Sequence, residues 1–267
     1  MKYSISNIGW PINSNLEVYK LMKKYGYSGL EIAPGKVANN LYSINVDEKN
    51  NFFNIIKPFD IAPIAMQSLL FGTKGMNLFE DDISRNKLFV YLKTAIDWAN
   101  FWGVEALVFG SPKNRVMADP NNITDWNNAY IFFKTLGDFA YSRGVRFCIE
   151  PNPKEYETNF LNTTEEALNF VLKVNSLGLR VNLDLGTIIL NNEMINNVVN
   201  KSTLPLIGHI HISEPYLTTI RKRKESNELI NLLNKLNYPY WVSIEMKEVP
   251  ELGVSRIEKV LKLIKKD

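Results

Sequence analysis

Four potential metal ligands close four successive apolar runs: Glu150 in "FCIEP", Asp184 in "VNLDLG", His211 in "HIHIS" and Glu245 in "VSIEM". Carboxylates and one imidazole suit manganese, magnesium, cobalt or zinc. Three carboxylates gathered without compensation repel one another and take up protons, and a divalent cation among them removes that conflict. Such a shell, with a position left for water or substrate, is an open site able to polarise a bound oxygen. Taken singly, each strand-end carboxylate is as ordinary as a helix N-cap or an ion-pair partner. The set of four, each near the end of its run, points to one divalent metal ion.

Both histidines of the chain fall within "GHIHIS". Side chains two apart on a strand share a face and lie about 7 Å from each other along it. If His211 faces the site, His209 faces the same way one layer deeper, as a hydrogen-bonded core residue or a buried contact. The same alternation puts Ser243 beneath Glu245, Asn182 beneath Asp184 and Cys148 beneath Glu150, a partly polar layer able to orient the ligands.

These groups converge only if the runs carrying them are neighbouring strands. Eight short apolar runs recur: "YSISNI", "GLEIAP", "IAPIAMQS", "EALVFGS", "VRFCIEP", "LRVNLDLG", "IGHIHIS" and "YWVSIEM". Between them lie amphipathic stretches of helical period, among them "NKLFVYLKTAIDWANFWG", "NNAYIFFKTLGDFAYSRG", "TEEALNFVLKVNSLG" and "NELINLLNKLN". From Glu31 through Gln67, Phe109, Glu150, Asp184 and His211 to Glu245 the residue numbers advance by 27 to 42 at each step. That is one strand, one helix and two short loops. The rhythm predicts a single (β/α)8 TIM barrel over residues 1–267, with its chemistry at the C-terminal strand ends. A doubly wound dinucleotide fold is disfavoured, because "SNIGWPINSN" after the first strand lacks the glycine fingerprint.

Composition narrows the partners. With 31 basic and 28 acidic residues, a formal charge of +3, the chain is too balanced for a binder that neutralises many phosphates. No nucleic acid and no membrane partner is expected. The lone Cys148 cannot form an internal disulfide, and "MKYSISNIGW" is no signal peptide, so the expected location is cytoplasmic.

At the four strand ends the chain resembles the sugar phosphate isomerase/epimerase superfamily. These are the xylose-isomerase-like TIM barrels that include D-tagatose and D-psicose 3-epimerases, hydroxypyruvate isomerase, inosose dehydratase and endonuclease IV. The resemblance runs through "GYSGLEIAP", "FGSPKNR", "IEP", "NLDLG", "HIHISEP" and "IEM" and spans nearly the whole chain. It implies Glu150, Asp184, His211 and Glu245 as ligands of one divalent metal, with Glu150 and Glu245 as an acid/base pair. The implied activity is isomerisation or epimerisation of a small sugar or sugar derivative through an enediolate. A dehydratase-type lyase at the same site and a non-catalytic sugar-binding barrel are the alternatives. The 3-epimerases carry a histidine shortly after the sixth-strand aspartate and an arginine shortly after the seventh-strand histidine. Here "DLGTII" and "HISEPYLTTI" hold neither, which puts a free ketohexose substrate in question. Two histidines are too few for the three zinc ions of endonuclease IV.

Further substrate-binding candidates are Trp10, Glu31, Gln67, Arg115, Glu157 and His209. Trp10 follows the first strand and either stacks on a sugar or packs. Glu31 ends "GLEIAP" on the far side from the ligands, to contact substrate or form an ion pair. Arg115 could grip a phosphate or carboxylate end of an anionic substrate. Glu157 in "EYETNFLNT" matches the family's substrate-binding glutamate by position. The basic run Arg221 to Lys224 is expected in the loop after the seventh strand as a solvated patch, with Ser226 opening the next helix. The expected partner is a small carbohydrate, and homo-oligomerisation is left open.

Overall fold

The computed structural model describes residues 1–39 and 42–265. Its strands are β1 (Lys2–Ser6), β2 (Gly29–Ile32), β3 (Ala62–Met66), β4 (Ala106–Phe109), β5 (Arg146–Ile149), β6 (Leu179–Asp184), β7 (Ile207–Ile212) and β8 (Trp241–Ile244). They close into a barrel in chain order, every neighbouring pair parallel and β8 returning to β1. Parallel neighbours need a crossover, and helices supply it: α1 (Asn15–Lys24), α2 (Val46–Ile56), α3 (Asp82–Trp102), α4 (Ile123–Ser142), α5 (Thr164–Val174), α6 (Leu185–Leu190), α7 (Ile195–Val198), α8 (Lys224–Lys235) and α9 (Gly253–Ile264). No described helix is long and apolar enough to cross a membrane.

Local chemistry sets the helix ends. Asp81 and Asn122 accept backbone N–H groups at the starts of α3 and α4, Thr163 and Glu166 form a capping box on α5, and Gly103 ends α3 in the left-handed region. One start differs from expectation: α8 opens at Lys224, after Arg223, not at Ser226. Two ion pairs explain it, because Arg223 and Arg221 both reach the buried Glu214 and so draw the basic run inward. Ser226 is itself buried within the helix.

The main apolar core includes outer-face strand residues such as Ile5, Leu30 and Leu183 and helix residues such as Val18, Leu92 and Leu136. A second, smaller cluster gathers Ile64, Ala65, Ala106, Cys148 and Trp241. Glycine makes room for it: a Cβ on Gly29 would lie 2.7 Å from the Trp241 ring, and one on Gly208 2.8 Å from Cys148 Sγ. A polar layer completes the interior, with Ser4, Glu31, Asn182, His209, His211 and Ser243 all at most 1% exposed.

Pairing fixes the depth of the ligands. Asp184 is opposite His211, and His211 opposite Ser243, so Glu245 stands two residues farther along its strand. The four groups are therefore staggered, as strand tilt and shear in a barrel require, and long carboxylate side chains close the gap.

Candidate metal centre and cavity

Glu150 follows β5, Asp184 ends β6, His211 lies in β7 and Glu245 follows β8. His211 Nδ1 is 3.0 Å from Glu245 Oε2 and 3.7 Å from Glu150 Oε2. Ligand atoms of Asp184, His211 and Glu245 all lie within 4.8 Å of one another. Asp184 also caps α6: Oδ1 accepts the Thr187 amide at 2.7 Å, and Oδ2 accepts the Ser213 hydroxyl. A carboxylate oxygen carries two lone pairs, so each keeps one for a cation.

Beneath the cluster lies the layer that aims it. His211 Nε2 is 3.0 Å from Glu31 Oε1, and the Ser243 hydroxyl donates to Glu31 Oε2 at 2.7 Å. His209 Nε2 lies 3.3 Å from the same Oε1, off the direction of a hydrogen bond. The Asn182 amide donates to Glu150 Oε2 at 2.9 Å and lies 3.1 Å from His211 Nδ1. A hydrogen held on Nε2 by Glu31 would leave Nδ1, once deprotonated, to offer its lone pair among the carboxylates, as a metal ligand must. Glu31, His209 and His211 could also group around an ion, but none of the three reaches the cavity wall.

The charge balance points the same way. Burial, then the charges of Asp184 and Glu245, push the Glu150 carboxyl up to about 8. Asp184 is raised by burial and by Glu245. Burial opposes a charge on His211, but Glu245 and Glu31 outweigh it and raise its pKa well above the usual imidazole value. Glu31 is as deeply buried, yet His211 and His209 hold it far below the ordinary carboxylate range. Glu150 and Asp184, their pKa values raised by burial and crowding, facing an imidazole whose proton a cation would displace, form a donor set that fits a divalent cation.

Above the cluster opens a cavity of about 640 Å³, with Glu150, Asp184 and Glu245 in its wall. Glu150 is the most open of the ligands, at 17% side-chain exposure. Of the six substrate-binding candidates, Gln67 lines this cavity, donating to the Ser6 hydroxyl at 2.8 Å. The other five do not. Trp10 is in the core with its indole N–H on Asn15, and Glu31 and His209 belong to the buried layer. Arg115 is fully buried, where it donates to the Glu150 carbonyl at 2.5 Å instead of facing a ligand. Glu157 is exposed at a left-handed turn, and its neighbour Tyr156 takes the place in the wall.

Several wall residues escaped the sequence reading. Glu214, 2% exposed, lines the cavity and is held by Arg223 Nε at 2.7 and 2.9 Å. Its signal was an acidic residue directly after the strand in "HISEP". Tyr216 and Leu217 follow with φ of 60° and 54°, two successive non-glycine residues in the left-handed region. Such conformations cost about 1–3 kcal/mol each and persist where surrounding contacts enforce them.

Three solved structures share this architecture. A D-psicose 3-epimerase aligns over 98% of this chain and 96% of its own, at 18% identity and a TM-score of 0.75. A 3-keto-D-glucoside 4-epimerase from E. coli aligns over 99% and 98%, at 17% identity and a TM-score of 0.78. An L-ribulose 3-epimerase aligns over 99% and 92%, at 15% identity and a TM-score of 0.75. At such identities the likeness establishes the fold. No curated protein matches the chain in sequence. The family model described as xylose isomerase-like TIM barrel matches residues 19–266, and the chain belongs to that family.

Proposed function

We propose that the protein is a divalent-metal-dependent isomerase or epimerase of a small sugar or sugar derivative. The observation that carries this reading is the convergence of Glu150 and Glu245 on His211 Nδ1 beneath a cavity with ample room for a sugar. The epimerase names of the structural neighbours support the same class. Glu150, Asp184, His211 and Glu245 would hold the cation, whose charge stabilises the enediolate left when a proton departs from carbon beside a carbonyl.

The chain's own groups do the proton work. Glu150, whose carboxyl is pushed up to about 8, can hold or release a proton near neutrality. Glu245 reaches the site from another strand end, so a substrate between the two carboxylates can lose a proton to one of them, and the planar intermediate left can gain a proton from the other on its opposite face. Return to the same carbon inverts it; return to the neighbouring carbon exchanges aldose for ketose. Asn182 fixes the orientation of Glu150, and Ser213 and Thr187 that of Asp184. Gln67, in the cavity wall, would bind a substrate hydroxyl.

The test is deuterium uptake from heavy water by a panel of ketoses and aldoses, with manganese-loaded protein. Wild type should exchange the hydrogen beside the carbonyl of at least one sugar. Glu150→Gln and Glu245→Gln, folded by circular dichroism, should lose about 10²–10⁴-fold in rate. Full exchange in both variants removes them from the chemistry. A product lighter by one water assigns a lyase, and tight binding without exchange in wild type assigns a binding protein.

A further inference from the structure

We infer that the substrate carries a second sugar ring beyond the one that reacts, seated at the mouth of the cavity against Tyr216 and Phe71. The inference rests on the metal-dependent sugar reading above and extends it to the size of the substrate.

Volume is the first observation. At about 640 Å³ the cavity belongs with pockets of roughly 300–1,000 Å³ that enclose drug-sized ligands. A single hexose held at the carboxylates fills only part of it.

The second is what surrounds the remainder. Phe71, in the loop after β3, is 85% exposed, and Tyr216, in the loop after β7, is 55% exposed; both line the cavity. Exposed aromatic rings at the cavity mouth offer flat apolar faces to the C–H faces of a sugar. Lys113 and Lys247 line the same space, and among the described residues neither is in an ion pair. Their ammonium groups can donate to ring hydroxyls. Planar faces alternating with donors suit a glycosyl group better than a purely apolar one.

The third is that Tyr216 is held in place. Its amide donates to the Tyr156 hydroxyl at 2.9 Å, and the two rings meet edge to face with centroids 5.6 Å apart. Leu217 N–H bonds the Glu214 carbonyl, and Lys247 N–H bonds the Leu217 carbonyl, both at 2.9 Å. Glu214 is in turn clamped by Arg223. A loop that passes through two left-handed residues and is braced at four points displays a half-exposed tyrosine. Tyr156 links the two regions: it lines the same cavity as Glu150 and Asp184 and packs against the Tyr216 ring.

Calorimetry on manganese-loaded protein tests this with fructose and with glucosyl-fructoses linked through O3, O4, O5 or O6. At least one ketodisaccharide should bind about tenfold more tightly than fructose, the sum of two ring contacts. Tyr216→Ala and Phe71→Ala should each cut that ratio about three- to tenfold, and Tyr216→Trp should preserve it. Equal binding of all five sugars, absence of binding by any, or a ratio that survives both alanine variants overturns the inference. Deuterium exchange on the same sugars separates it from the reading beneath it. Exchange without size preference removes only the second ring; size preference without exchange upholds the subsite and removes the proton transfer.

Discussion

Glu31 is 180 residues from His211 in the chain, yet its carboxylate, reached by both histidines and by Ser243, lies nearest the imidazole that faces the other ligands. That arrangement fixes which His211 nitrogen carries a hydrogen and so which one is offered to a cation. Glu31→Gln removes the charge and keeps the shape. Outer partners of ligating histidines are worth about 10–100-fold in metal affinity, so manganese titration should show a loss of that size. Stability should fall as well, by about 3 kcal/mol at neutral pH, because a buried imidazolium loses its counter-charge. The sign with pH follows from the depressed Glu31 pKa: its contribution is present above about 4.3, the unfolded value, and is lost as the pH falls through the folded one. Urea titrations at pH 7 and in acid should therefore show the difference shrinking on acidification, and an unchanged manganese affinity would detach Glu31 from the site. At this scale the gathering of the four strand-end groups was legible, because residue type and position in the run coincide. The role of Glu31 was not, since it depends on a partner across the barrel that spacing cannot name. Arg115 and Glu157 lie outside the cavity wall for a related reason: both sit in loops after strand C-termini, but a loop position does not say which way its side chain points.

The elements were the most legible level, because helical and strand periods alternate along the chain and each strand is buried on both faces. The exceptions are short. "LGTIIL" continues the apolar run of β6 and has no period to separate it from a strand, yet it forms α6, because Asp184 caps it. The start of α8 was misplaced because the ion pairs with Glu214 override the preference for a serine cap. Close packing between elements was likewise invisible. Gly178, just before β6, lies against α4 so tightly that an added Cβ would be 2.0 Å from the Gly137 carbonyl oxygen and 2.6 Å from the Tyr141 nitrogen. Both are backbone atoms, so no rotamer change can yield the space. Gly178→Ala should cost about 3 kcal/mol, the upper end of overpacking penalties, and lower the urea midpoint without changing the slope. A midpoint within error of wild type would mean that α4 shifts freely on the barrel.

At the scale of the whole molecule, the four proposed ligands come from consecutive strand ends, so a cation they share would bind the folded barrel and not the unfolded chain. At about a hundred times its dissociation constant such an ion adds about 2.7 kcal/mol, which for a chain of this size raises Tm by roughly 5–10 °C. The increment should depend on pH in a set direction. In chelator-treated protein the folded state holds a Glu150 proton up to about pH 8 that the unfolded chain releases near 4.3, so this group's contribution declines as the pH climbs between those values. His211 acts in the same sense: its raised pKa stabilises the fold fully below about 6.5, and that contribution is lost as the pH rises through the folded value. Manganese must displace these protons, so its apparent affinity should rise about tenfold per pH unit for each proton lost. At fixed manganese the increment in Tm should therefore be small at pH 5.5 and grow toward pH 8, while the chelated protein loses Tm over the same range. An increment flat across that range would mean that no proton leaves when the ion binds, and would place the ion away from Glu150 and His211.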